Sequence, residues 1–441
     1  MNKVVDYIAS HAERTTERVA IVIGSLKVSY AELWEKIEQR AESLRDTGYI
    51  EGSPVVFRFS TDIESLATYL AAHRIGAVAV PLERDCPEST FEEILHRVTL
   101  RTVPTDTADI LFTTGTTGKA KGVIISHKAI IANTENLIEA HQYTPETVFI
   151  INGPLNHIGS LSKVMATLAV GGSLILIEGM ADINRLFAAL DYPSERIASF
   201  LVPASIRLIL QQSGDRLKDY SHKIDFIETG GASTSLHDMQ QLCSILPHTR
   251  LYNTYASTET GIIATYDFQA EGTVEGCVGR KMKHAEYYIS EAGTIICSGE
   301  TLMSGYLDSP DIEREVFQAS KFITSDIATL SPKGLLIIRG RNDDIINIGG
   351  YKVSPLDIEN AAMEIEGIKE CICIASHHKV LGIALKLIYV ATKDSHLNAR
   401  LIAQSLSSKL SRYQIPLLYE EAEEIQRTYN GKINRKYYRQ I

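Results

Sequence analysis

The sequence predicts an α/β protein in two unequal parts. A large N-terminal domain of two parallel, helix-covered sheets carries a small barrel-like β module, and a small α+β domain follows it. Three observations carry this reading. Apolar strand-like runs alternate with helical stretches from the N-terminus to about residue 253, and such alternation implies parallel sheets covered on both faces. From about Gly279 the strands become shorter and are punctuated by glycine. The run from Arg339 to Asp344 is polar and turn-prone, a natural linker before the last hundred residues. A chain of 441 residues exceeds what one core usually serves, so the domains are expected at 1–340 and 341–441.

Each element has its own signal. Ser29 and Glu32 form a capping-box pair that opens a helix over 28–48, with Tyr30, Leu33, Trp34, Ile37, Ala41 and Leu44 on one face. Residues 55–59 read as a strand, 63–74 as a helix and 77–82 as the next strand. A second strand series is expected near 148–151, 173–177, 198–202, 226–229 and 250–253, with apolar helical stretches between most of them. Residues 286–289, 294–298 and 335–339 make the antiparallel or barrel-like module. The small domain has helices over 354–366 and 397–410 and strands around 371–374 and 385–390.

Composition excludes several classes. Against 44 Lys and Arg stand 54 Asp and Glu, a formal charge of −10, which argues against nucleic acid or an anionic membrane as the main partner. No run of 18 uncharged apolar residues occurs, so no membrane span is expected. The charged N-terminus lacks the apolar centre of a signal peptide. Six cysteines are scattered without metal-ligand spacing, and Cys371 and Cys373 alternate on one strand face, as core residues do. A reducing cytoplasm fits best.

The most informative stretch is Leu111 to Gly122, where an apolar run ends in residues that are almost wholly Thr, Gly and Lys. Glycines 115, 118 and 122 let backbone N–H groups turn toward one point. Thr113, Thr114, Thr116 and Thr117 add hydroxyl donors, and Lys119 and Lys121 add charge. Such a collection suits a polyphosphate. It does not fit the Walker A pattern, which needs Ser or Thr after Gly-Lys where this chain has Ala120.

Thr114-Gly115-Thr116-Thr117-Gly118-Lys119-Ala120-Lys121-Gly122 resembles the phosphate loop of the adenylate-forming superfamily, which includes acyl-CoA synthetases, aryl-acid ligases, peptide-synthetase adenylation domains and luciferases. Ala120 departs from the usual proline. Four further segments follow in the family's order: Tyr255-Ala256-Ser257-Thr258-Glu259, Thr324-Ser325-Asp326, Arg339-Gly340-Arg341-Asn342-Asp343-Asp344, and Asn430-Gly431-Lys432-Ile433-Asn434-Arg435. The resemblance covers nearly the whole chain, whose compact length is similar to that of o-succinylbenzoate and aryl-acid CoA ligases.

The resemblance implies a set of roles. Thr113 to Gly118 and Lys121 hold the ATP phosphates, and Thr258 bonds the α-phosphate. Glu259 is the Mg²⁺ ligand. Gly231, Ala232, Asn253 and Tyr255 line the nucleotide and acyl sites, and Asp326 and Arg341 hold the ribose. His157, in Pro154-Leu155-Asn156-His157-Ile158-Gly159, lies between acyl carboxylate and phosphate. Lys432 is the adenylation lysine, carried by a domain that rotates about Asp343. Gly349, Gly350 and Tyr351 then line a pantetheine tunnel. Two neighbouring glycines allow the close backbone approach such a channel needs.

The activity so implied is AMP-forming acid–thiol ligation with ATP, Mg²⁺ and coenzyme A as cofactors and a small carboxylic acid as substrate. The acid is expected to be aryl or short to medium acyl. An α-amino acid is rejected, because the His157 neighbourhood offers no carboxylate to an ammonium. Two alternatives stand beside this: transfer to the phosphopantetheine arm of an acyl carrier protein, and a non-catalytic adenylate-binding homologue.

Overall fold

The computed structural model describes residues 3–113, 120–318, 320–348, 351–378, 382–392, 395–427 and 433–438. The strands Arg250–Ser257, Ile224–Gly230, Ile197–Phe200, Val148–Ile151, Ser173–Leu176 and Val19–Ile23 lie side by side in that order and run parallel. Leu26–Ser29 closes that edge antiparallel. Side chains alternate between faces, and both faces are covered. Phe149 and Ile151 enter one core cluster, Val148 and Ile150 the other.

The barrel-like module is a continuation of this sheet. After the turn at Gly261, whose φ is +66°, Gly261–Asp267 returns antiparallel along Arg250–Ser257. Cys277–Lys281, Leu336–Arg341, Lys321–Leu330, Thr294–Gly299 and Ala285–Ile289 extend it, all antiparallel. A second sheet holds Pro54–Phe59, Val78–Glu83 and Thr107–Thr113 in parallel, then Lys121–Ser126 and the short Gly305–Tyr306 antiparallel. Gly305–Tyr306 therefore stitches late sequence onto the strand that follows the glycine-rich loop.

The capping box is present as read. Ser29 N–H donates to Glu32 Oε2 at 2.7 Å, and Glu32 N–H donates to Ser29 Oγ at 3.2 Å. The helix they open, Tyr30–Asp46, buries Tyr30, Leu33, Ile37, Ala41 and Leu44, each large one worth roughly 1.5–3 kcal/mol. The linker is narrower than its composition indicates. Arg339, Gly340 and Arg341 finish the strand Leu336–Arg341, with Asp326 opposite Arg341, and the turn itself is Asn342–Asp344.

In the last hundred residues, Ile368–His378, Gly382–Ala391 and Leu418–Glu421 form a three-stranded sheet beside the helices Pro355–Met363 and Ala399–Ser407. Cys371 and Cys373 pack on one face with Ile402 and Leu406, while Ile372 faces Ile425 and Tyr438. The reading of both cysteines as core holds.

A polar cluster is buried behind the second sheet. Asp109 accepts from Tyr69 Oη at 2.9 Å and meets His73 Nε2 at 2.8 Å. The His127 ring lies edge-on to His73 at 5.0 Å between centroids, and its Nε2 has no hydrogen-bond partner among the described residues. Burial first, then the His73 ring and the Lys3 charge, push the His127 imidazole down to about 2. The unfolded chain takes up a proton there near pH 6.5 and the folded chain does not, so the unfolded state binds more protons below that pH. Stability contributed by this residue is complete above pH 6.5 and declines as pH falls toward 2. We predict that between pH 7 and pH 5 the protein loses about 2 kcal/mol more than a His127→Gln variant, read from urea midpoints. Parallel losses in both proteins would assign the acid sensitivity elsewhere.

Candidate active site

The parallel strands end along one edge in steps, Gly230 two residues beyond the level of Phe200 and Ser257 three beyond the level of Gly230. Ser199 lies beside Ile150, Phe200 beside Glu228, and Gly230 beside Thr254. The segments leaving that edge carry His157, Gly231 with Ala232, and Thr258 with Glu259, the arrangement by which open α/β sheets gather ligands at strand carboxyl ends.

Local chemistry explains each segment. His157 caps the helix Ile158–Ala169, and its carbonyl accepts from the N–H groups of Ser160 and Leu161 at 3.1 and 2.9 Å. The positive end of a twelve-residue helix dipole thus begins at this residue. Gly230 is glycine for a packing reason. A Cβ there would stand 2.5 Å from the Thr254 carbonyl oxygen. Gly231 has φ +76°, which side chains resist. Gly231 and Ala232 are exposed, and Thr258 is half-buried.

Glu259, Lys121 and Tyr306 converge from three parts of the chain. Tyr306 Oη donates to Glu259 Oε1 at 3.2 Å, and the Lys121 ammonium lies 5.5 Å from the centre of the Tyr306 ring. Burial and the Glu259 carboxylate raise the Tyr306 phenol well above its ordinary range, so it stays a donor. The backbone of Glu259 is fixed as well, its carbonyl accepting from Met303 N–H at 2.8 Å. Lys121 stands opposite Thr113 across the hairpin that carries the glycine-rich loop. Thr114, Gly115, Thr116, Thr117, Gly118 and Lys119 lie outside the described residues.

Arg97 braces the exit of that loop. Its Nε and Nη2 reach Asp308 Oδ2 and Oδ1 at 2.7 and 3.0 Å, and Nη2 also donates to the Ala120 carbonyl at 2.9 Å. Alanine leaves φ free where proline would fix it, and the guanidinium fork holds that residue instead.

Asp326 is the centre of the second polar group. Tyr255 Oη donates to its Oδ2 at 2.5 Å, and Arg341 Nε stands 3.4 Å from Oδ1. Arg341 also donates from Nε to Ser325 Oγ at 3.1 Å. Burial raises the Asp326 carboxyl, and the Tyr255 hydrogen bond and the Arg341 charge oppose that rise. Asn253 is buried and gives its side-chain amide to the Cys277 carbonyl at 2.7 Å, reaching past the intervening strand Gly261–Asp267.

Tyr351 is exposed and stacks on Tyr413 at 4.4 Å between centroids. Gly349, Gly350 and Lys432 lie outside the described residues. The flanks of the Lys432 segment are well defined. Arg427 and Ile433 form a β-bridge, and Arg435 reaches Glu359 on the helix Pro355–Met363. Asp343 lies in the Asn342–Asp344 turn, 3.9 Å from Arg341 Nη2.

Tyr306 and Arg97 escaped the sequence reading. Arg97 looks like an ordinary surface cation on an amphipathic helix, and Gly305–Tyr306 is too short to show a period.

Comparison with known proteins fits this geometry. Residues 8–109 and 97–307 match the AMP-binding enzyme family. The chain belongs to that family of adenylate-forming enzymes. It is 26% identical to an indoleacetate–CoA ligase of Aromatoleum aromaticum, over 99% of this chain and 97% of the relative. It is 25% identical to malpibaldin synthetase of Mortierella alpina over 96% of this chain, which spans only 9% of that much longer protein. The crystal structure of ATP-bound MatB from Rhodopseudomonas palustris superposes with a TM-score of 0.88 at 22% identity, covering 99% of this chain and 98% of MatB.

The Arg97 fork yields a test. Arg97→Lys keeps the charge and loses the fork geometry. ATP affinity measured by calorimetry is expected to fall about ten- to a hundredfold, the scale of losing charge-assisted hydrogen bonds. Unchanged affinity would show that the loop is positioned without it.

Proposed function

We propose that the protein is an AMP-forming acid–thiol ligase that activates a small aryl or short- to medium-chain acid and passes it to coenzyme A. The observation that carries this is the convergence of Lys121, Tyr306 and Glu259 at the same strand edge as His157 and Thr258, with Asp326 and Arg341 on the continuing strands. The length match to the indoleacetate–CoA ligase supports it.

In the first half-reaction a carboxylate oxygen attacks the α-phosphorus of ATP. The bond to the bridging oxygen of the β-phosphate breaks, and pyrophosphate leaves. An anion attacks a polyanion, so preplaced cations and N–H donors lower the barrier. Lys121 and the glycine-rich loop attract the β- and γ-phosphates, Thr258 the α-phosphate, and Asp326 accepts from the ribose hydroxyls. His157 and the helix end beside it orient the acid. In the second half-reaction the thiol loses its proton, sulfur attacks the acyl carbon, and AMP departs.

Glu259 fits a hard divalent ion. One of its oxygens is engaged by Tyr306, and no cluster of three His, Cys, Asp or Glu side chains occurs among the described residues. A single carboxylate suits Mg²⁺, which keeps waters and phosphate oxygens in its shell. When bound there it neutralises phosphate charge.

A carrier-protein acceptor is the second reading, favoured by the exposed Tyr351–Tyr413 stack, since a carrier needs an exposed apolar patch to dock on. No helix among the described residues is long and apolar enough to cross a membrane, and six unpaired cysteines accord with a reducing, cytoplasmic setting.

Pyrophosphate release over a panel of acids, with coenzyme A and a phosphopantetheinylated carrier compared as acceptors, tests this reading. Lys432→Ala is expected to slow acyl-AMP formation by roughly 10²–10³, the scale of losing one transition-state charge contact. Thioester formation from supplied acyl-AMP should survive. Equal losses in both steps would remove Lys432 from adenylation.

A further inference from the structure

Two opposite charges are buried beneath the expected acyl site. Lys163 lies one turn beyond Gly159 on the same face of the helix Ile158–Ala169. Glu228 lies two residues before Gly230 on the strand Ile224–Gly230, so both point to one side of the sheet. Lys163 Nζ is 2.8 Å from Glu228 Oε1, with the side chains 3% and 1% exposed.

Phe200 connects this pair to the site. A Cβ built on Gly159 or Gly230 would stand 3.7 or 3.8 Å from the edge of its ring, and the Lys163 ammonium lies 5.2 Å from the ring centre. Glycine, glycine, aromatic ring and ion pair thus form one continuous wall between helix and strand. Behind it, Glu228 Oε2 is 3.5 Å from His141 Nδ1. Burial, then the Lys163 and Arg250 charges, hold that imidazole well below its ordinary range. His141 is therefore neutral, and the cation that answers Glu228 is Lys163.

Burying two ions costs several kcal/mol each, and a hydrocarbon floor of equal volume is often no less stable. Neither Glu228 oxygen accepts a well-aligned hydrogen bond among the described residues. Lys163 has one further weak contact, Ser162 Oγ at 3.4 Å. Donor and acceptor capacity is therefore left over beside the Phe200 ring. It lies six residues past His157, about 9 Å along the helix axis.

Resting on the acid-ligase reading, we propose that Lys163 and Glu228 are a specificity-determining pair that recognises a neutral hydrogen-bonding substituent on the far side of an aryl or short acid. A hydroxyl, aromatic amine or carboxamide fills both capacities at once. An anion meets Glu228, a cation meets Lys163, and a plain hydrocarbon leaves both groups unfilled. Sites built to bond a polar group discriminate strongly against analogues that lack it.

The test compares kcat/KM for pyrophosphate release with benzoate, 3- and 4-hydroxybenzoate, 4-aminobenzoate, hexanoate and 6-hydroxyhexanoate. The wild type is expected to prefer at least one polar acid over its parent by about tenfold or more. In Lys163→Met/Glu228→Met that ratio should fall to about one or below, the parent acid gaining. Glu228→Gln, which keeps the shape, should lower the ratio part way and decides the matter if the double variant melts early. Pyrophosphate release with the same ratio in wild type and variants overturns the pair's role while leaving the ligase reading intact. No release with any acid, polar or apolar, removes both.

Discussion

Gly230 lies so close to the neighbouring strand that a Cβ there would touch the Thr254 carbonyl oxygen at 2.5 Å, and this approach belongs to the register that pairs the two parallel strands. That register sets where the segments carrying Gly231 and Thr258–Glu259 leave the sheet. The adjoining strands, in matching register, deliver His157 and Phe200. A one-residue slip would turn Glu228 from the inner face to the opposite one. Backbone packing, more than any side-chain contact, makes the site possible.

Charge is distributed around that edge in separate compartments. Lys121 and Glu259 share Tyr306 between them, so neither forms the short ion pair that would neutralise both. Asp326 is held by Tyr255 and Arg341 on the antiparallel extension. Fixed in this way, the groups need little reorganisation as charge moves during a reaction, which is the main source of electrostatic catalysis.

Local features were the legible ones. The Ser29–Glu32 capping box, the alternating Cys371 and Cys373 and the strand series all depend on neighbours within a few residues. The family to which the chain belongs was legible from motifs of fixed spacing in one order. What could not be read was long-range partnership: Lys121 with Tyr306, Arg97 with Asp308, Lys163 with Glu228. Each joins residues 65 to 211 positions apart, and nothing in a linear pattern records which surface cation will be drawn into a clamp. The linker was overread because Arg339 to Arg341 are polar and yet belong to a strand.

The placement of Val19–Ile23 has a consequence for how the chain is made. This strand is hydrogen-bonded to Leu26–Ser29 on one side and to Ser173–Leu176 on the other, so its inner partner is synthesised some 150 residues later. At roughly 5–20 residues per second of translation, its unpaired backbone edge stays open for about eight to thirty seconds on the ribosome. Loop closure over such a span is slow, and an unpaired apolar strand is adhesive during the wait. The capped helix Tyr30–Asp46, which needs no distant partner to begin forming, is the nearest cover. Weakening its cap would therefore reduce soluble yield more than it alters the finished protein.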